Sequence, residues 1–583
     1  MNRTPCIRKA LFVFTAFLSM IFLLWRAKYG YCFQDEPFLV SLAQRLFQGD
    51  ALIADEWHGT QNFGVILLPF YALFRLFSPN NEGILMVFRY TYCFLWWLCC
   101  LFVSKCVVSK TPECPGQSGY CRHLVFLYLV LFSPLDYMTL SYTSVGLMSC
   151  LLLCCQLYRL SDAPVRNAAV PAGLFSLLWI LLTLCSPFMA PVYLLFVALS
   201  AAGAALEKRR CSSFYFCNLW RISRLSLLYV ALVVPVYLLL FVFSRADISR
   251  VLDNLPYLFM DPQHEQQSFV KALLSAPVYV LKENPLFVLS SFLVFSAALV
   301  KNLCKYRLPL FSVCTLLFIN AQLIVTRTVL PGHELLWPLL NYQMMYIAVL
   351  GAVAFALLEK RPYTLFLLFN GFGWAYAAVL NATSNTQLKC ISMALAVAGV
   401  SGIVCIVALL HEMAQQYRAR KVLRALSVLV VCLSLTVQLG TELCTRFNRT
   451  YWDKTFSALT AEIQYGSAKG IRTTPEQAAA HDRVYENLTQ LLSRTDTEGK
   501  HFLCTAGMPH LYLDADLDFA VFSGWNLGYT DEYSLNDRIV DYQKINPGSR
   551  PDIIFCPDAA DILPFIDSSY HRIEYRGSYL FFR

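Results

Sequence analysis

The chain has 583 residues, of which 57% are hydrophobic and only 15% charged, and it carries a formal net charge of +9. Soluble domains carry about 25% charged residues, so this balance excludes an ordinary water-soluble protein and makes lipid the main solvent. A positive balance often marks a nucleic-acid binder, but the distribution of charge along the chain excludes that reading.

Arg3, Arg8 and Lys9 precede an apolar run at 10–25. A secretory signal peptide has the same charge order. No small-residue cleavage site follows, since Arg26, Lys28, Tyr29 and Tyr31 come next with only Ala27 and Gly30 between them, which predicts a retained first helix with a cytoplasmic N-terminus.

The next segment, 27–83, is far longer than a connection requires, and long loops usually carry function. It opens on Gln34-Asp35-Glu36-Pro37. Phe38, Leu39, Leu42, Leu46 and Phe47 then recur at helical spacing, with Ser41, Gln44, Arg45 and Gln48 on the opposite face. The pattern predicts an amphipathic helix on the membrane surface, started by Pro37 and ended by Gly49-Asp50. Asp35 has two readings. It is a helix cap whose carboxylate accepts backbone N–H groups, or a general base at the water–lipid boundary. The run 62–77 contains Pro69 and Arg75 and is assigned as a second juxtamembrane helix.

Apolar runs long enough to span a bilayer are placed at 10–26, 84–103, 123–135, 142–158, 168–186, 188–206, 225–243, 286–300, 308–325, 337–358, 363–380, 389–410 and 425–443. With 62–77 left out, the cytoplasmic segments hold twenty-two basic residues and the external loops ten, as the positive-inside rule requires. The expected fold is therefore a polytopic all-α membrane module, residues 1–443, with about thirteen transmembrane helices. An odd number of spans places the tail, 444–583, outside. The tail holds fourteen basic and nineteen acidic residues, so the positive excess belongs to cytoplasmic loops facing lipid headgroups, not to a nucleic-acid surface.

Acidic and basic clusters recur on the external side: Arg245, Asp247 and Arg250; Asp261-Pro262-Gln263-His264-Glu265; and Arg327 with Pro331-Gly332-His333-Glu334. Arginines there can hold a lipid phosphate as a bidentate fork, or serve as snorkelling and surface-pairing residues. His264 and His333 lack metal-ligand spacing, and no metal site or cofactor is read from the sequence. The tail reads as a small α/β domain, with a helix at 474–494 and strands at 501–505, 552–556 and 579–582. Cys504 and Cys556 become disulfide candidates if their strands are neighbours. Asn381, Asn448 and Asn487 open N-x-Thr triplets that would be glycosylated in a secretory pathway. Trp525, Tyr529 and Tyr533 offer either sugar stacking or an aromatic core.

Asp35-Glu36 just after the first span, Ala43 and Gly49 at the end of a juxtamembrane helix, a second such helix at 62–77, Asn81-Glu82-Gly83, Arg89, and Ser133-Pro134-Leu135-Asp136 follow in that order. This arrangement resembles the GT-C superfamily of membrane glycosyltransferases, particularly protein O-mannosyltransferases and lipid A aminoarabinose transferases. The resemblance covers residues 10–160 and, beyond that, the layout. Gly59-Thr60-Gln61-Asn62 stands where the aminoarabinose enzymes have Lys-Pro-Pro, so sugar and acceptor stay open. The resemblance implies an inverting transferase in the plasma membrane. It would move a sugar from a polyprenyl-phosphate donor to a glycan, lipid or protein acceptor on the external face. Asp35, Glu36 and Asp136 are the expected catalytic carboxylates. Arg245, Arg250, Arg327, Arg89, His264 and His333 are the expected donor-phosphate ligands. A flippase of lipid-linked saccharides and a non-catalytic scaffold are the alternatives.

Overall fold

The computed structural model describes residues 4–109, 118–132, 137–160, 167–210, 215–260, 336–383, 388–416, 450, 453–525 and 534–583, with single positions between 271 and 296 and between 422 and 447. The N-terminal part is helical. α1 (Thr4–Arg26) leads into α2 (Asp35–Gln48) and α3 (Phe63–Phe77). Then follow α4 (Ile84–Ser109), α5 (Ser118–Leu131), α6 (Tyr142–Arg159), α7 (Ala169–Cys185), α8 (Met189–Arg210), α9 (Tyr215–Leu238) and α10 (Ile248–Asn254). α11 (Leu336–Leu357), α12 (Tyr363–Thr383) and α13 (Leu388–Gln416) complete the described bundle.

Among the described residues, six helices are long and apolar enough to cross a membrane; they lie in α1, α4, α8, α9, α12 and α13. The protein is thus a mostly helical, multi-span chain with a small mixed α/β region at its C-terminus. Leu228, Leu232, Val233, Val236 and Leu240, on α9 and its extension, are exposed, as a lipid-facing surface requires. α9 begins well before the expected span at 225, carrying Arg221 and Arg224 in its first turns, and it ends in a π-helical turn, Leu239–Phe243. The expected spans at 286–300, 308–325 and 425–443 lie outside the described residues apart from single positions.

Small residues let the inner helices approach closely. A Cβ on Gly351 of α11 would stand 2.1 Å from Gly402 Cα of α13, and one on Gly399 would collide with the Tyr128 hydroxyl of α5. α13 is the most enclosed of the six, with 89% of its apolar window buried.

The tail forms a five-stranded sheet in the order β4–β3–β5–β7–β6, with β3 (His501–Cys504), β4 (Asp518–Phe519), β5 (Ile553–Cys556), β6 (His571–Tyr575) and β7 (Ser578–Phe582). β3 runs parallel to β4 and β5, and β7 runs antiparallel to β5 and β6. A separate two-stranded ladder pairs β1 (Ala461–Glu462) with β2 (Arg472–Thr473). Three helices accompany the sheets: α14 (Pro475–Leu492), α15 (His510–Ala515) and α16 (Leu535–Ile545). Thr474 caps α14, its hydroxyl accepting the Gln477 N–H, as the sequence pattern predicts.

Two expectations for the tail need correcting. β3 and β5 are neighbours, yet Cys504 and Cys556 are free, buried thiols, because Cys504 pairs in register with Phe555 rather than with Cys556. Asn487 is 2% exposed and donates to the Ser578 hydroxyl at 2.9 Å, so a glycan on it does not fit this packing; Asn381, in α12, is buried as well.

Candidate functional site at the junction of the first loop and the tail

The segment after α1 is held by the tail. Gly30, at φ +88°, donates its N–H to the Arg472 carbonyl at 2.8 Å, and the Arg472 N–H returns to Lys28 at 2.6 Å. Only glycine fits there, since a Cβ would meet Thr450 at 2.5 Å. Asp453 then accepts the Tyr31 N–H at 2.8 Å.

α2 starts at Asp35, and its capping position is Gln34, which makes no side-chain cap. The cap reading of Asp35 is therefore replaced by a first-turn carboxylate facing the positive end of the helix dipole. Asp35 is half-buried, whereas Glu36 is fully buried. Arg89 of α4 grips Glu36 through Nε to Oε1 at 2.7 Å and Nη2 to Oε2 at 2.5 Å. The same guanidinium donates to the carbonyls of Ala27 and Gly30, each at 2.8 Å. Two adjacent carboxylates thus have separate environments: Glu36 is an internal anchor, and Asp35, half-buried beside it, opens the first turn of α2.

α2 is not the surface-lying helix that its pattern suggests. Glu36 through Leu46 are all buried, with α3 packed on one side and elements of the tail on another. Its polar face meets protein in place of water. Gln44 donates to the Tyr512 carbonyl and Gln48 to the Leu517 carbonyl, both at 3.2 Å. Arg45 reaches Asp50 at 2.7 Å, Glu56 at 2.9 Å, the Val521 carbonyl at 2.9 Å, and the Asp55 carbonyl. Gly49, at φ +110°, closes the helix by donating to the Arg45 carbonyl. Burial raises the carboxyl of Asp50 to about 6 against the opposing pull of Arg45, and burial likewise raises Glu56.

Arg245 and Arg250 converge on this loop from beyond α9. Arg245 Nη1 donates to the carbonyls of Leu46 and Asp50, both at 2.8 Å. Arg250 pairs with Asp55 and donates Nε to Asn546 at 2.6 Å. Of the other predicted site residues, Asp136, His264, Arg327 and His333 lie outside the described residues, as do Tyr529 and Tyr533. Trp525 packs against Phe38 and His58, with ring centroids 5.3 and 6.0 Å away.

A second cluster was not anticipated from the sequence. His481 of α14, with His510 and Asp514 of α15, presents one ligand atom each, all within 4.8 Å of one another. His510 and Asp514 are an i,i+4 pair on one helical face, which is the only local signal; His481 comes from a different helix. Tyr31 joins this cluster from the first loop, its ring centroid 5.5 Å from His481 and 6.2 Å from His510. The Tyr31 phenol is pushed well up by burial and then by Asp514, and the His510 imidazole well down by burial and then by His481.

No family model matches the chain, and no similar curated protein is found.

Proposed function

We propose that this protein is an inverting glycosyltransferase of the GT-C type, with about thirteen spans in the plasma membrane and its tail on the external face. It would take a polyprenyl-phosphate sugar as donor and a glycan, lipid or protein as acceptor. The observation that carries the reading is the division of labour at Asp35-Glu36. Glu36 is fixed by Arg89, so the first turn of α2 is held in place, and Asp35 stands half-buried at the start of that turn. A lipid-linked donor has its phosphate at this height. A carboxylate held at a helix N-terminus stays ionised and can take the proton of an acceptor hydroxyl as the sugar carbon is attacked. Asp136 is the second acidic group in this reading. Arg245 or Arg250, with Arg327, His264 or His333, would meet the departing phosphate. Arg89 is committed to Glu36 and two carbonyls, and we assign it no phosphate.

A flippase should place ionisable groups at mid-membrane. Among the described residues, the charged side chains of the spanning helices cluster toward helix ends, as Arg89 and Lys105 do in α4. That distribution favours the transferase.

Purified protein incubated with radiolabelled polyprenyl-phosphate sugars and membrane acceptors tests the reading. Asp35→Asn should fold, bind donor and lose transfer by at least about a hundredfold, the lower range expected for a general base. Near-normal turnover by that variant, or no transfer by the wild type with any donor, sinks it.

A further inference from the structure

His481, His510 and Asp514 bring two imidazoles and a carboxylate together at the seam between the tail and the first loop. The rings of His481 and His510 are stacked with centroids 4.9 Å apart, and the residues are 5% and 4% exposed. Both nitrogens of His510, Nε2 of His481, Oδ2 of Asp514 and the hydroxyl of Tyr31 are buried without a hydrogen-bond partner. Orphaned buried polar atoms are uncommon in folded proteins, because each loses its water without gaining a partner. Several of them converging in one place ask for something to bind.

The outer contacts of the same groups are already settled. Asp482 stands 3.4 Å from Nδ1 of His481 and accepts the Gln464 N–H as well. A carboxylate on Nδ1 fixes the tautomer that turns Nε2 into a lone-pair donor, the arrangement found behind most metal-bound histidines. Asp514 uses Oδ1 to accept the Ser467 N–H at 2.6 Å, while its Oδ2 is buried with no hydrogen-bond partner. Gly466, at φ +71°, allows this approach, since a Cβ there would lie 2.7 Å from Oδ1.

We propose that His481, His510 and Asp514 form a binding site for one divalent transition-metal ion, of which zinc is the best match. Two imidazoles and one carboxylate suit zinc with an open fourth position, and they do not suit magnesium or calcium, which prefer all-oxygen shells. Ligand atoms on a tetrahedral zinc with bonds of about 2.0–2.1 Å stand roughly 3.4 Å apart. The present spread, up to 4.8 Å, therefore contracts by about 1.4 Å at most when the ion enters. The three ligands all come from the tail, while Tyr31 comes from the segment just before Asp35. The ion would therefore stiffen the α14–α15 face on which that segment rests, and the Tyr31 hydroxyl offers a further oxygen at the site. The site stands independently of the transferase reading.

The test uses the full-length protein, purified in detergent without a polyhistidine tag, stripped with a chelator, and titrated with zinc or cobalt. One equivalent should bind per chain, and cobalt should give the visible absorption of a four-coordinate nitrogen–oxygen site. His481→Ala and His510→Ala should abolish stoichiometric binding. Asp514→Asn, which keeps an acceptor for Ser467, should weaken binding at least tenfold while the protein still elutes as a folded species. Asp482→Asn should weaken it by about 10–100-fold, as loss of an outer partner does. His571→Gln, at an exposed strand residue, should bind like the wild type. Absence of stoichiometric zinc or cobalt binding by the wild type would overturn the proposal, and so would wild-type affinity in a folded Asp514→Asn protein.

Discussion

Arg89 and Glu36 form a two-point ion pair, 2.7 and 2.5 Å long, sealed between the N-terminal end of α4 and the first turn of α2. Every nitrogen of the guanidinium has an acceptor, since Ala27 and Gly30 take the remaining hydrogen bonds. The pair joins three pieces of chain, the segment after α1, the start of α2 and the start of α4, and Asp35 is positioned by it.

Removing one member of such a pair strands the other as a buried charge, at a cost of about 3–5 kcal/mol. Arg89→Ala and Glu36→Gln should each lower the unfolding temperature of the detergent-purified protein markedly. Arg89→Lys should rescue little, because an ammonium cannot make the two-point contact. A paired replacement, Glu36→Leu with Arg89→Met, should recover part of the loss. Single variants that unfold with the wild type would mean that the pair holds nothing in place.

Much of the bundle was legible because its signals are local. Apolar runs marked α4, α6, α7, α8, α11 and α12, Gly49 marked the end of α2, and Thr474 marked the start of α14. What stayed hidden depends on contacts between distant segments. Ser41, Gln44, Arg45 and Gln48 form a polar stripe that reads as a wet face, and nothing local says that the tail will cover it. Arg245 and Arg250 look like free external cations until the fold sets them against Leu46, Asp50 and Asp55. His481 and His510 are separated by a helix, a loop and a strand, so only the i,i+4 spacing of His510 and Asp514 hinted at their cluster.

Arg245 closes the end of α2 by donating to the carbonyls of Leu46 and Asp50. A cation there satisfies helix-terminal carbonyls and the negative end of the dipole. Arg245→Ala should therefore cost about 1.5–3 kcal/mol, the range for charged hydrogen bonds, with Arg245→Lys intermediate. If the variant loses donor affinity while its unfolding temperature is unchanged, the residue serves the phosphate and not the helix.

Asp50 gives a pH signature. Burial raises its folded-state carboxyl from 3.8 to about 6, so the folded protein holds the proton more tightly than the unfolded chain does. That contribution is fully present below about pH 4 and is lost as pH rises through about 6. Asp50→Asn imitates the protonated form at every pH. The wild-type unfolding temperature should fall relative to that of Asp50→Asn as pH is raised from 5 to 7. A difference that stays constant across this window would mean that Asp50 is already ionised at pH 5.

Asp516 ties the tail to α2 and to α3 with the turn that follows it. Its two oxygens accept Arg75 Nη1 at 2.7 and 2.8 Å, and Oδ1 also accepts Asn81 at 3.1 Å and Gln44 at 3.4 Å. The residue ends α15 in the left-handed region, at φ +52°, which aspartate and asparagine tolerate better than alanine does. The backbone and side-chain contributions can be separated by three substitutions. Asp516→Asn keeps the backbone geometry and an acceptor but loses the ion pair. Asp516→Gly removes the backbone strain and every side-chain contact. Asp516→Ala loses the contacts and adds about 1–2 kcal/mol of left-handed strain. Unfolding temperature should therefore fall least for asparagine, more for glycine and most for alanine, and protease cleavage before β1 should rise in the same order. Glycine equal to the wild type would show that the carboxylate contributes nothing to docking, and that Gln44, Arg45, Gln48 and Asn81, with apolar packing, hold the tail without it.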